Sequence, residues 1–141
     1  MDYFIDTNIF IRILELENQK MFDECSNLLK LVKDSKIKAF TSGEVLSEIV
    51  WVLSSSYRES KSKIIKSLKG IIGLNGLKII DEFDLEYALR KYEEKNIKFI
   101  DALIASNPKI QLKKMTVVSY DKDFDKLGVK RLEPSDIINR G

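Results

Sequence analysis

Short apolar runs alternate with longer segments of helical period along this chain, and that alternation leaves few folds open. Residues 3–5, 38–41, 77–80 and 115–119 read as strands, and 129–132 as a fifth at an edge. Between them, residues 7–14 pair Ile9 with Ile13 and Phe10 with Leu14 at i, i+4 spacing. A longer amphipathic helix is expected over 18–34, with Met21, Cys25, Leu28, Leu29 and Val32 inward. Further helices are expected over 43–54, 59–73, 84–95 and 99–107. Pro108 should kink or end the last of these. The second helix of this set carries Ile64, Ile65, Leu68, Ile71 and Ile72 on one stripe, expected to pack on the chain's own core. Strands alternating with helices predict an α/β fold with a mainly parallel sheet of four to five strands. In such sheets, sites form beyond the carboxyl ends of strands, near a switch in strand order.

At 141 residues the chain is read as one domain, 1–141, and 44% hydrophobic with 33% charged residues excludes a disordered polymer. No apolar stretch approaches a membrane span, and Met1-Asp2-Tyr3 runs straight into a strand with no basic leader. The lone Cys25 cannot form an internal disulfide, which fits a cytoplasmic protein. There is no histidine, so Ser-His-Asp and Cys-His catalysis and His-ligated zinc are excluded together. Chemistry must run on carboxylates, hydroxyls, Lys, Arg or metal. A net charge of +2 does not by itself imply a nucleic-acid partner.

Four acids sit in or at the end of apolar runs: Asp6 after Tyr3-Phe4-Ile5, Glu48 within 45–50, Asp101 within 99–104, and Asp121 after 117–120. A carboxylate carried into a core is costly unless paired, hydrogen-bonded or metal-bound. Asp6 can be explained as a helix N-cap and Asp121 as a turn or cap residue. Glu48 borders a stripe centred on Leu46, Ile49, Val50 and Leu53, whereas Glu44 reads as a solvated helix-start charge. Asp101 is flanked by Phe99, Ile100, Ala102, Leu103, Ile104 and Ala105 around nearly the whole helix, so the helix is expected to be buried. Carboxylates gathered in space repel and call for divalent cations, Mg²⁺ or Mn²⁺ by their oxygen donors. Two such ions about 3.5–4 Å apart activate water and stabilise the leaving oxygen of a phosphodiester. Thr7, Asn8 and Ser119 are placed to orient carboxylates or metal-bound water.

Phe4-Ile5-Asp6-Thr7-Asn8-Ile9-Phe10-Ile11-Arg12 resembles the opening motif of PIN-domain ribonucleases. Residues 47–53, 96–105 and 119–124 resemble their second, third and fourth motifs, in order and across nearly the whole chain. The VapC-like toxins of toxin–antitoxin pairs are the group most similar. The resemblance implies a three-layer α/β/α fold, Mg²⁺- or Mn²⁺-dependent endoribonuclease activity on RNA, a homodimer, and metal binding by Asp6, Glu48, Asp101 and Asp121. It also implies a small antitoxin with a basic segment that meets the acidic pocket. Single-stranded RNA is the expected substrate, and Arg12, closing the first motif, is an expected substrate contact. Ser119 stands where the family has Thr, and Ser106-Asn107-Pro108 replaces an Ala-rich helical continuation. Asp123 is a candidate extra ligand, weighed against a solvated turn residue.

Other classes fit less well. A phospho-receiver domain needs an acidic pair after strand one and a Lys after the last central strand, but Thr7-Asn8 and Asp121 stand there. An Asp-nucleophile phosphatase needs an acid at position 8, which is Asn. A catalytically silent PIN-fold RNA-binding module remains as the alternative.

Overall fold

The computed structural model describes residues 1–140. Strand β1 (Asp2–Ile5) feeds α1 (Thr7–Leu14), and α2 (Gln19–Lys33) returns to β2 (Lys38–Thr41). Helices α3 (Gly43–Ser55) and α4 (Lys61–Ile72) precede β3 (Leu77–Ile79). Helices α5 (Leu85–Glu94), α6 (Phe99–Ala105) and α7 (Pro108–Gln111) lead to β4 (Met115–Val118). A 3₁₀ segment (Lys122–Leu127), β5 (Arg131–Leu132) and α8 (Pro134–Ile138) follow. Local chemistry sets these boundaries. Asn18, Ser42, Ser60 and Asp84 each accept a backbone N–H three residues on, the usual satisfaction of orphan donors at a helix start.

The strand order is β3-β2-β1-β4-β5 and every pairing is parallel. Helices flank the sheet in an α/β/α arrangement. The order reverses between β1 and β4, so the crevice expected of such sheets opens where these two strands end. Register brings Ile5 beside Val118, and the Asp6 N–H donates to the Val118 carbonyl at 3.1 Å. Asp6 and Ser119 are thereby neighbours. All four residues of β4 are buried, as a central parallel strand requires. Phe4, Ile5, Phe10, Leu28, Ile49, Ile104 and Phe124 fill the core.

Four expectations need correction. The buried line of α3 runs through Val45, Ile49 and Leu53, while Leu46 and Val50 are half-buried. That centre lies nearer Glu48 than the sequence stripe placed it. Glu44 is half-buried with one carboxylate oxygen shut from water and unpartnered, not a freely solvated charge. Helix α6 is not buried all round: Phe99 is 41% exposed. On α4, Ile64 and Ile71 are buried, but Ile65 and Ile72 face solvent, so only part of that stripe packs inward. Pro108 does end the preceding helix, and it also opens α7 at its first position, with Asn107 Oδ1 accepting from the Lys109 N–H at 2.9 Å. Gly76 has φ +86°, and a Cβ there would collide with the Val32 carbonyl oxygen, so the turn before β3 requires glycine.

Candidate metal centre

Asp6 follows β1 and caps α1. Its Oδ1 accepts from the Thr7 N–H at 2.8 Å, and its Oδ2 accepts from the Ser119 hydroxyl at 2.6 Å and the Asn8 amide at 3.2 Å. Ser119 accepts in turn from Asn8 Nδ2 at 2.9 Å and from the Asp121 N–H at 3.0 Å, and Asn8 Oδ1 accepts from the Tyr120 N–H at 3.2 Å. The capping explanation of Asp6 is therefore correct as far as it goes, and the same carboxylate also ties β1 to β4. The Thr7 side chain takes no part, its hydroxyl being buried without a partner. Burial raises the Asp6 pKa to about 6 against the Ser119 and Thr7 hydrogen bonds, with the charge of Glu48 adding to the rise.

Asp101 reaches the crevice from α6. It is 1% exposed, and its Oδ2 is buried with no hydrogen-bond partner. Burial first, then the negative charge of Asp6, lift its pKa to about 8; Lys98 opposes the rise and Asp121 adds to it. Asp121 caps the 3₁₀ segment by accepting from the Asp123 N–H at 2.9 Å. One carboxylate oxygen from each of Asp101, Asp121 and Asp123 lies within 4.8 Å of the others. Asp123, weighed in the sequence as a solvated turn residue, stands with the cluster and pairs with Lys126 at 3.1 Å.

Glu48 is half-buried on α3 and lines the mouth of the crevice with Asp6, Thr7, Asn8, Arg12 and Lys98. Arg12 lies there too, its guanidinium 3.6 Å from Glu17. Sequence reasoning gave no role to two residues that shape this corner. Arg131 donates to the Ser119 carbonyl at 2.9 Å and pairs with Asp125 and Glu133, fixing the turn after β4. Lys98 places its ammonium 3.7 Å from Asp121 Oδ2. Burial lowers the Lys98 pKa, but Asp101, Glu48, Asp121 and Asp6 outweigh it and the net shift is upward. The only sequence signal for Lys98 is a cation at a helix N-cap, where cations are disfavoured.

The donor set fits a hard divalent cation. All its ligand atoms are carboxylate oxygens, one of them is buried and unpartnered, and two of the acids resist ionising in its absence.

A PIN-domain sequence model matches residues 3–130. The chain belongs to the PIN-domain family. The family resemblance is thereby upheld, and the family is one of nucleases. No curated protein sequence matches this PIN-domain chain. Among solved structures, it is similar to the VapBC2 complex from Rickettsia felis bound to a promoter DNA fragment, at 23% identity and TM-score 0.68, covering 94% of this chain and 98% of that one. A Pyrobaculum aerophilum protein matches with TM-score 0.68 at 14% identity, covering 99% of this chain and 94% of the other. VapC20 of Mycobacterium tuberculosis, a sarcin-ricin-loop-cleaving toxin, matches with TM-score 0.64 at 16% identity, covering 94% and 99%. At these identities the likeness establishes the fold, five parallel strands between helices. Among the described residues, no helix is long and apolar enough to cross a membrane.

Proposed function

We propose that this PIN-domain protein is a divalent-metal-dependent endoribonuclease acting as the toxin of a toxin–antitoxin pair. The observation that carries the reading is Asp101: a carboxylate on an apolar helix, with a buried oxygen that nothing in the protein satisfies, beside Asp121 and Asp123. A structural carboxylate would have donors around it. Asp101, Asp121 and Asp123 would hold Mg²⁺ or Mn²⁺ directly, with Asp6 and Glu48 completing the negative wall of the crevice. Such an ion, when bound, supplies Lewis-acid stabilisation of phosphodiester charge and lowers the pKa of water. Ser119 and Asn8 hold Asp6 in one rotamer, Arg131 holds the Ser119 carbonyl, and Lys98, Arg12 and Lys126 supply positive charge around the mouth for a phosphate backbone. Single-stranded RNA suits this open crevice, since its bases and backbone are free to enter a cleft that a duplex cannot.

A homodimer is part of the proposal. Trp51 on α3 is 69% exposed beside Phe99 of α6, and Leu85, Leu89 and Tyr92 of α5 are also exposed. The Tyr92 and Phe99 rings meet edge to face at 5.4 Å, which joins the two helices into one apolar surface at the lip of the crevice. A second copy covering that surface would remove it from water. The proposed antitoxin offers a basic side chain to the acidic crevice, where a cation is electrostatically welcome.

Cleavage of single-stranded RNA with Mg²⁺ or Mn²⁺, abolished by chelator and restored by added metal, is the test. Undiminished cleavage in excess EDTA would end the metal-dependent reading.

A further inference from the structure

Lys98 breaks a local rule in a place where breaking it costs stability. It is the N-cap of α6, and its backbone carbonyl accepts from the N–H groups of Asp101 at 3.1 Å and Ala102 at 3.2 Å. No side chain caps this helix. Ser, Thr, Asp or Asn at this position satisfies an orphan donor, whereas a cation meets the positive end of the helix. Departures from local preference without a structural gain collect at functional sites. The compensation lies across the crevice. The Lys98 ammonium is 3.7 Å from Asp121 Oδ2 and lines the mouth with Asp6 and Glu48, while Asp101 stands one turn along the same helix. Of the other cations near the site, Arg12 pairs with Glu17 and Lys126 meets Asp123 at 3.1 Å, which leaves Lys98 as the cation set against Asp121 and Asp101. The Lys98 side chain is also 61% exposed, so it is free to swing outward without unpacking anything.

We propose that Lys98 is a tethered counter-cation of the acidic crevice, which neutralises the carboxylates in the metal-free protein and which a divalent metal must displace to bind. This rests on the metal-centre reading of the same site and adds a regulatory term to it. Metal occupancy is set by competition with a cation built into the chain, so the protein tolerates low metal without its carboxylates forcing the crevice apart. The distance of 3.7 Å and the half-open setting make the contribution modest rather than absolute.

The test is calorimetric titration of Mn²⁺ into wild type, Lys98→Met and Lys98→Arg, with no RNA present, alongside thermal melts in EDTA. Lys98→Met keeps the stem and removes the charge. It should bind Mn²⁺ about 3- to 10-fold more tightly than wild type and melt lower in EDTA, and Lys98→Arg should restore both values toward wild type. If Lys98→Met binds Mn²⁺ equally or more weakly while wild type binds it, the counter-cation role is overturned and the metal centre stands. If no variant binds Mn²⁺, the metal-centre reading fails and this one fails with it. Circular dichroism of each variant separates these outcomes from misfolding, which the exposure of Lys98 makes an unexpected result.

Discussion

At the end of β1, the Asp6 carboxylate receives hydrogen bonds from Thr7, Asn8 and Ser119; across the crevice on α6, the equally buried Asp101 has an oxygen that receives none. The two share a sheet edge and a negative field, yet Asp6 is pushed up only to about 6 and Asp101 to about 8. Two things make the difference: Asp6 has donors, and Asp101 bears the negative charge of Asp6 and Asp121. Hydrogen bonds to the charged form offset the cost of taking a carboxylate out of water, and without them the proton is retained. The comparison teaches how to divide labour between buried acids. Asp6 belongs to the frame and faces the site, while Asp101 keeps one buried oxygen that no hydrogen-bond donor reaches.

Replacing each acid by its amide is the strongest way to break this contrast. Asp101→Asn should reduce RNA cleavage to background, and in chelator at pH 9 it should leave the melting temperature unchanged or higher, because a repelling charge is gone. Asp6→Asn should instead lose about 1–3 kcal/mol of stability in chelator, since an amide cannot accept from Ser119 and Asn8 on the side where it now carries hydrogens. If denaturant unfolding finds the two variants equally destabilised, the distinction between frame and ligand collapses.

The pH dependence sharpens the same contrast. Both carboxyls have folded pKa values above the unfolded 3.8, so the folded protein holds protons that the unfolded chain releases. Stability of the metal-free protein is then greatest at low pH within this window. It should fall as pH rises, first through about 6 for Asp6 and then through about 8 for Asp101. Melts from pH 5 to 9 in EDTA should slope downward, and Asp101→Asn should flatten the upper part of that slope. A slope above pH 7 that survives Asp101→Asn would mean another group is titrating.

A smaller effect is expected at Ser119. Ser119→Ala removes the 2.6 Å donor to Asp6 and the acceptor for the Asp121 N–H, and should cost about 1–2 kcal/mol by denaturant unfolding. No cost would mean that the network framing Asp6 is decorative. The smallest effect lies outside both corners. Trp51→Ser should leave monomer stability within about 0.5 kcal/mol while shifting the light-scattering mass of the dimer toward the monomer. A variant that stays dimeric would move the proposed interface elsewhere.

Much of this was legible in the residues, and the reasons are specific. Asp6 directly follows β1 and Asp121 lies three residues past β4, so their placement at the carboxyl edge follows from period-two and period-3.6 patterns alone. Helix α1 was readable to its ends because Asp6 caps it and its apolar pairs fall at i, i+4. Phe99 was misjudged because apolarity does not distinguish a core face from an outer face left open, and the same ambiguity hid Ile65 and Ile72. The α3 stripe slid toward Glu48 because its neighbours, not its own pattern, decide which of several apolar residues turn inward. Asp123 and Lys98 gained meaning only from distances across the crevice, which no spacing along the chain encodes. The short α7 and α8 each begin with a proline, at Pro108 and Pro134, a start signal that reads equally well as a break.

Helix α6 has seven residues, fewer than two full turns, well short of the roughly 12–15 at which an isolated helix is even marginal in water. Its shape is therefore borrowed. Helix α5 packs along it, and beyond its last turn the Ser106 hydroxyl accepts from the Asp84 N–H at 3.1 Å and donates to the Leu103 carbonyl at 2.6 Å. Asp101 holds its post only while those moorings hold, so the segment is not portable: grafted into another scaffold, Phe99–Ala105 would carry the letters of the motif and leave the site behind.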